Sequence, residues 1–288
     1  MFKKLFGGGK KKLSSLEKNI QRQAAENKRV VVEHVAASPP TPKPKPEPAQ
    51  SATPGHDALL NHLDEKDKED PVVRLQVAGK GVFDVACQVL SGLGGREGIR
   101  VEDLLALLGS TGGFSVILTV LAHLKEAGDS LETAGIQHIG TKDGKHYYFG
   151  EFPNHILLNS EMSVLGLSLG MAQKLGGEVG FDEVSEASTH VINTIGTPEF
   201  GVPRLPEAHR PVIAPAEFVS QLWPRINAEL DRYQVHFLHK PTVIGFAIQN
   251  AMQAGKETLP PDLAAKIIIE CAVPMSRLDP AEMDHPNP

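Results

Sequence analysis

The sequence predicts a mainly α (α+β) protein: a helical body with one β-hairpin, preceded by a disordered basic and Pro-rich N-terminal arm. Three observations carry this. Apolar residues recur at helical spacing through most of residues 71–280. IQHIGTKDGKHYYFG, residues 136–150, alternates around a turn dipeptide. The opening residues combine lysine with proline and few apolar side chains, a composition that buries too little to order itself. The 41% apolar content of the 288 residues leaves material for a sizeable core behind that arm.

Residues 1–35 form a basic tail and a possible helix. MFKKLFGGGKKK is followed by Leu13, Leu16 and Ile20 at helical spacing. Residues 36–70 read as a Pro-rich and charged linker. SPPTPKPKPEP alternates proline with charge and favours polyproline II, in which ten residues span roughly 31 Å. HDALLNHLDEKDKED, residues 56–70, holds one short helix before a charge run, so the folded part is expected from Pro71.

Residues 71–155 are expected to form a unit of helices plus the hairpin. VFDVACQVLSG and RVEDLLALLGS read as two helices, the second ending at Gly109. Phe114, Ile117, Leu118, Leu121 and Leu124 mark a third, amphipathic one. In the hairpin, Asp143 and Gly144 suit a type I′ turn. Residues 156–280 read as a helical unit. SEMSVLGLSLGMAQKLGG takes Ser160 as N-cap and Gly176 as stop, and FDEVSEASTHVINTIG ends at Gly196. AEFVSQLWPRINAELDRY contains Pro224, which predicts a kink or two shorter helices. Pro241 opens TVIGFAIQNAMQA, apolar almost all round and expected to be central, and Pro261 opens DLAAKIIIECAV. Residues 281–288 read as a frayed tail.

Charge is divided along the chain. Residues 1–34 carry nine Lys/Arg against three acids, and residues 71–288 carry 16 against 25. An acidic body is a poor surface for nucleic acid, whose affinity rests on cations neutralising phosphates. Cys87 and Cys271 lie apart in apolar helical patterns, which points to buried free thiols rather than to a disulfide framework or zinc. No apolar run is read as long enough to span a bilayer, and no signal-peptide core follows the N-terminal lysines. A cytoplasmic protein is expected, with association at the inner membrane face if the tail binds lipid.

The sharpest catalytic pattern is Gly166-Leu167-Ser168-Leu169-Gly170, which matches G-x-S-x-G. A serine-hydrolase reading makes Ser168 the nucleophile, with Asp231 and His236 or His239 after it in the chain. The competing reading is a helix in which Gly166 and Gly170 let another backbone approach. Caps at both ends and the lack of strand–helix alternation favour the helix, so no catalytic residue is assigned. Residues 100–149 also fit a winged helix, with STGG as the turn, but residues 98–150 hold four Lys/Arg against six acids. His236 and His239 have the i, i+3 spacing of a metal pair without a third ligand at ligand spacing, so no metal and no cofactor is expected. His138, His146 and Tyr148 could meet across the hairpin.

The segment 197–215, TPEFGVPRLPEAHRPVIAP, is a long connection with five prolines. It is read as a strap over the helical body, with Phe200, Val202, Leu205, Val212 and Ile213 available as anchors. Arg204, His209 and Arg210 either pair with acids of the body or form a ligand or partner contact; the anchors favour structure. At the N-terminus, Phe2 and Phe6 with Lys3, Lys4, Lys10, Lys11 and Lys12 could attach weakly to an anionic membrane surface. GTPEFGVPRLPEAHRP together with AVPMSRLDP resembles an uncharacterised bacterial protein family over roughly residues 140–280. The resemblance implies no functional residue. The reading that results is a non-enzymatic binding or adaptor protein, with a protein partner on the helical body and the basic arm as tether.

Overall fold

In a computed structural model of the chain, residues 54–94 and 98–283 are described. The basic tail with its tether residues and residues 36–53 of the linker lie outside them. The described helices are α1 (Pro54–Lys66), α2 (Val72–Gly94), α3 (Val101–Ala127), α4 (Glu151–Leu157), α5 (Val164–Lys174), α6 (Phe181–Thr194), α7 (Pro215–Arg232), α8 (Lys240–Gly255) and α9 (Pro261–Met275). α2 starts ten residues before the expected VFDVACQVLSG, and α4 has no helical period in the sequence. Strands β1 (Gln137–Gly140) and β2 (His146–Phe149) pair antiparallel between α3 and α4. The expected class, helical with one hairpin, is the observed one.

Local signals set many of the ends. Gly128, at φ 71°, closes α3 and donates its N–H to Leu124 O. The Glu183 carboxylate accepts the Gly180 N–H at 2.9 Å at the start of α6. Pro215, Pro241 and Pro261 stand in the first turns of α7, α8 and α9, where a missing N–H costs nothing. The cap of α5 is Ser163, not Ser160: the Ser163 hydroxyl accepts the Gly166 N–H at 3.0 Å. α7 runs through Pro224 as one helix, and α9 runs through Pro274 rather than stopping before it.

The largest departure lies in α3. Gly109, Gly112 and Gly113 do not end one helix and turn into the next; they sit inside one helix of 27 residues. Glycine disfavours a helix interior by about 1 kcal/mol relative to alanine. Here close packing overrides that preference. A Cβ on Gly113 would stand 2.1 Å from the Ala272 carbonyl oxygen, and one on Gly109 3.2 Å from Ile268 Cα. The helix-turn-helix part of the winged-helix reading is therefore absent. The uncharged run from Leu104 to His123 is also long and apolar enough to cross a membrane, contrary to the sequence reading. Of its most apolar window, 89% is buried inside the body.

Residue pairs give the directions of the helices. Gly109 meets Ile268 and Gly113 meets Ala272, so α3 and α9 run parallel. Gly112 meets Ile244 and Ile248 while Gly255 meets Val101, so α8 runs antiparallel to α3. Residues from both expected units, 71–155 and 156–280, line one core: Ala78, Val82, Leu105 and Leu108 join Leu165, Ile244, Ile268 and Val273. The body also begins earlier than Pro71. Leu63 of α1 is 1% exposed, and Arg74 bonds Asp64, Asp67 and the Tyr233 carbonyl.

A smaller cluster packs the hairpin beside the C-terminal half of α3, through Phe114, Ile117, Val120, Tyr147 and Leu278. The turn is not type I′. Gly144 has φ 82°, Asp143 has no positive φ, and the Gly144 N–H donates to Thr141 O while the Thr141 N–H donates to Lys145 O. This is a three-residue loop with one left-handed glycine. Residues 278–283 are not frayed. Leu278 bridges Tyr147, the Asp279 N–H donates to His146 O at 3.2 Å, and residues 280–283 form a 3-10 turn.

Candidate functional site

The strap is where the sequence places its contact residues, and helix direction explains its length. The Glu178 and Val179 N–H groups donate to Asp262 at the start of α9, and Gly201 lies against Met275 at its end. α6 thus runs parallel to α9. α7 starts beside the first turn of α3, where the Val212 N–H donates to Asp103 Oδ1 at 2.8 Å, and lies along α3 as far as the 5.4 Å contact of Trp223 with Phe114. The end of α6 and the start of α7 are therefore at opposite ends of the body. The connection must travel back along about 22 Å of α9. Antiparallel neighbours need only a few residues; this parallel pair needs a crossover.

The crossover is pinned through one side. Pro203 and Leu205 are buried while Val202 and Arg204 are exposed, an alternation of extended chain. Phe200 and Ile213 pack on the core as expected; Val202 and Val212 do not, at 53% and 75% exposed. Arg204 Nη2 and Nε donate to Glu270 Oε1 at 2.6 and 3.1 Å, and the Arg204 N–H donates to Oε2 at 3.0 Å. Glu270 is 5% exposed, so this fork satisfies a carboxylate that water does not reach. His209 Nδ1 lies 2.9 Å from Glu102 Oε1. Burial alone would raise the Glu102 carboxyl, but its hydrogen bond with His209, a backbone bond and Arg100 hold it below the ordinary range. Arg210 Nε donates to Leu205 O at 3.2 Å, and Arg100 donates to the carbonyls of Ala208 and Arg210. Arg204 and His209 are thus engaged by acids of the body itself.

The hydrolase constellation is not assembled. Ser168 is fully buried in the middle of α5, and its hydroxyl donates to the Val164 carbonyl at 2.6 Å. The strand and sharp turn that expose a nucleophile in G-x-S-x-G are replaced by helix. Asp231 is more than half exposed and pairs with Lys240 at 2.6 Å. His236 and His239 flank a 3-10 turn with ring centroids 6.3 Å apart, and His239 is held low by burial and then by His236. Nor does the glycine pair admit another helix. Gly166 faces Ser160 O and Ser163 Oγ, and Gly170 faces open space.

A second polar cluster forms where residues 277–282 lie along β2. The His138 ring stacks on Tyr148 and on His146, each with centroids 4.7 Å apart. The Tyr148 hydroxyl donates to Asp279 Oδ2 at 3.3 Å, and the Glu282 carboxylate accepts the His146 N–H. Burial and then His146 lower the His138 ring, against the pull of Asp279. Burial raises the Tyr148 phenol, and the nearby Asp279 adds to it; Tyr147 is pushed up to about 12, chiefly by burial. Beside them Arg277 is 5% exposed, donates from Nη2 to Asn154 Oδ1 and covers the Phe149 ring at 5.3 Å. Burial lowers its guanidinium to about 10. Among the described residues, no group of three or more His, Cys, Asp or Glu side chains is placed to hold a metal ion.

The sequence reading named the strap's cations but not their partners. Glu270 was legible as a lone charge in the run IIIECAV, which signals a buried ion pair. Glu102 and Asp103 resemble ordinary first-turn acids and carry no such signal. Asp279 and Glu282 were hidden in what read as a loose tail. No family model, curated protein or solved structure matches this chain.

Proposed function

We propose that this chain is a non-enzymatic binding protein of the adaptor type, with a protein partner on the strap side of the helical body and the basic arm as a tether. The observation that carries the reading is the two-sidedness of the strap. Its inner side is fixed by Glu270, Glu102, Asp103 and Arg100, while its outer side presents Val202 and Val212. An extended segment already held in one shape loses little conformational freedom on binding, and exposed apolar side chains on it offer area to bury. The exposed parts of Arg204 and Arg210 supply polar contacts at the edge of that surface.

For the arm, the separation of charge supports the same reading. Its net positive charge would be drawn to an anionic lipid surface or an acidic partner, and the net negative body would not. The test is a comparative pull-down from the native host with the full chain and with Val202→Asp plus Val212→Asp. Loss of the same proteins from the double variant, with helical content unchanged, is expected. Identical recovery refutes the strap as the contact. Vesicles containing anionic lipid test the arm separately: cosedimentation should fall when residues 1–12 are removed.

A further inference from the structure

α1 is held to the body mostly by polar contacts, and most of them meet at one side chain. Arg74 of α2 is 9% exposed. Its Nη2 donates to Asp64, its Nε to Asp67 and its Nη1 to the Tyr233 carbonyl at 3.1 Å. At the other end of α1, His56 Nε2 lies 3.0 Å from the Arg232 carbonyl. The His56 ring stands edge-on to Tyr233, with centroids 6.1 Å apart. We propose that α1 is a releasable latch. It undocks from α2 and the end of α7 while the rest of the body stays folded, and so lengthens the connection between the body and the chain before Pro54.

Three observations carry this. First, little apolar surface opposes release. Among the described apolar side chains of α1, Leu63 alone is buried, with Leu59 packed partly against the core, whereas α2 buries Ala78, Val82, Ala86 and Leu90. Second, docking leaves polar atoms without partners. His56 Nδ1 and Asp67 Oδ1 are buried and make no hydrogen bond. Each gains one from water on release, so these atoms favour the undocked state. Third, α2 does not need α1. Asp70 Oδ1 accepts the Val72 N–H at 2.9 Å, so the first turn of α2 is satisfied from its own side.

The consequence is a change of length. A helix of 13 residues is marginal alone in water, so a released α1 unfolds. Docked, it spans about 20 Å. Released, residues 54–70 reach up to about 53 Å as extended chain. The gain is about 30 Å at full stretch. The latch stands on its own contacts; only its use, setting the reach of the arm, rests on the tether proposed above.

Hydrogen exchange on the full chain tests the latch without vesicle or partner. Amides of residues 58–66 should exchange about 100-fold faster than those of α3, α8 and α9, through a local opening. Exchange of α1 only together with those helices overturns the proposal. So does a complete lack of protection in α1, which leaves no docked state to release. Energy transfer reads the length. Trp223 is the only tryptophan, and a dansyl acceptor is attached at Gly55→Cys, where a Cβ meets nothing within 4 Å, in a Cys87→Ser background. Asp64→Asn combined with Asp67→Asn should lower transfer and speed exchange of α1 about tenfold, with α3, α8 and α9 unchanged. Raising salt should lower transfer in the protein with both aspartates, because Asp64 is 58% exposed and its ion pair is screened, and should do nothing in the double variant. Unchanged transfer in the double variant, or a salt response that survives in it, overturns the ionic hold.

Discussion

Changing Gly113 to alanine tests the packing on which the whole fold depends. The added Cβ would lie 2.1 Å from Ala272 O and 2.8 Å from Ala272 C and Cα. These are backbone atoms of α9 and cannot rotate aside. The two helices must separate by about an ångström, which places the cost near the upper end of overpacking, about 3 kcal/mol. Alanine returns about 1 kcal/mol through its better helix propensity. The net loss is about 2 kcal/mol, or roughly 4–8 °C in Tm for a body of this size. Gly170→Ala is the control. It is also inside a helix, but its Cβ would face open space. There only the propensity gain of about 1 kcal/mol remains, so Tm should rise by roughly 2–4 °C. Thermal unfolding followed by circular dichroism measures both. A Gly113→Ala protein as stable as Gly170→Ala would refute the close parallel crossing of α3 and α9.

Other outcomes follow from the same geometry. Arg204→Ala leaves the buried Glu270 carboxylate without its fork, at a cost of about 2–3 kcal/mol, below the range for a wholly buried pair because Arg204 is 37% exposed. Urea unfolding should show it, and Arg204→Lys should recover only part, since an ammonium cannot reproduce the fork. His138 has a folded value below its ordinary 6.5, so the unfolded chain takes up that proton first. Its contribution therefore favours the fold above the ordinary value and diminishes as pH falls towards the lower folded value. His138→Phe, which keeps the ring stacked on Tyr148, should flatten the Tm profile between about pH 7 and pH 5. Cys271 is fully buried and its thiol is raised by burial, so a thiol reagent should label it only as fast as the protein unfolds. Labelling in the native state at the rate of a free thiol would contradict that burial.

Much of the fold was legible because its signals are local. The stripe of α6, the prolines opening α8 and α9, and the alternation of β1 and β2 act within a few residues of themselves. The same locality explains the errors. Ser160 and Ser163 both suit an N-cap, and only the position of Gly166 in space selects Ser163. Leu278, Asp279 and Glu282 lack a helical or strand period, yet the open edge of β2 orders them.

By itself, the sequence determined the class of the protein, the places where most helices start, the division of charge between arm and body, and a strap with five candidate anchors, of which the structure uses Phe200, Leu205 and Ile213 and leaves Val202 and Val212 exposed. Tertiary structure decided the rest. GSTGG became the middle of a helix because bare glycine backbone lets α9 lie against α3, and packing outweighed glycine's poor propensity. The long strap became necessary because α6 and α7 point the same way, which no local pattern reveals. Arg204 and His209 acquired partners because α9 and α3 bring Glu270 and Glu102 beneath them. Helix directions and contacts across many tens of residues depend on which faces fit together, and that fit is settled only when the chain has folded.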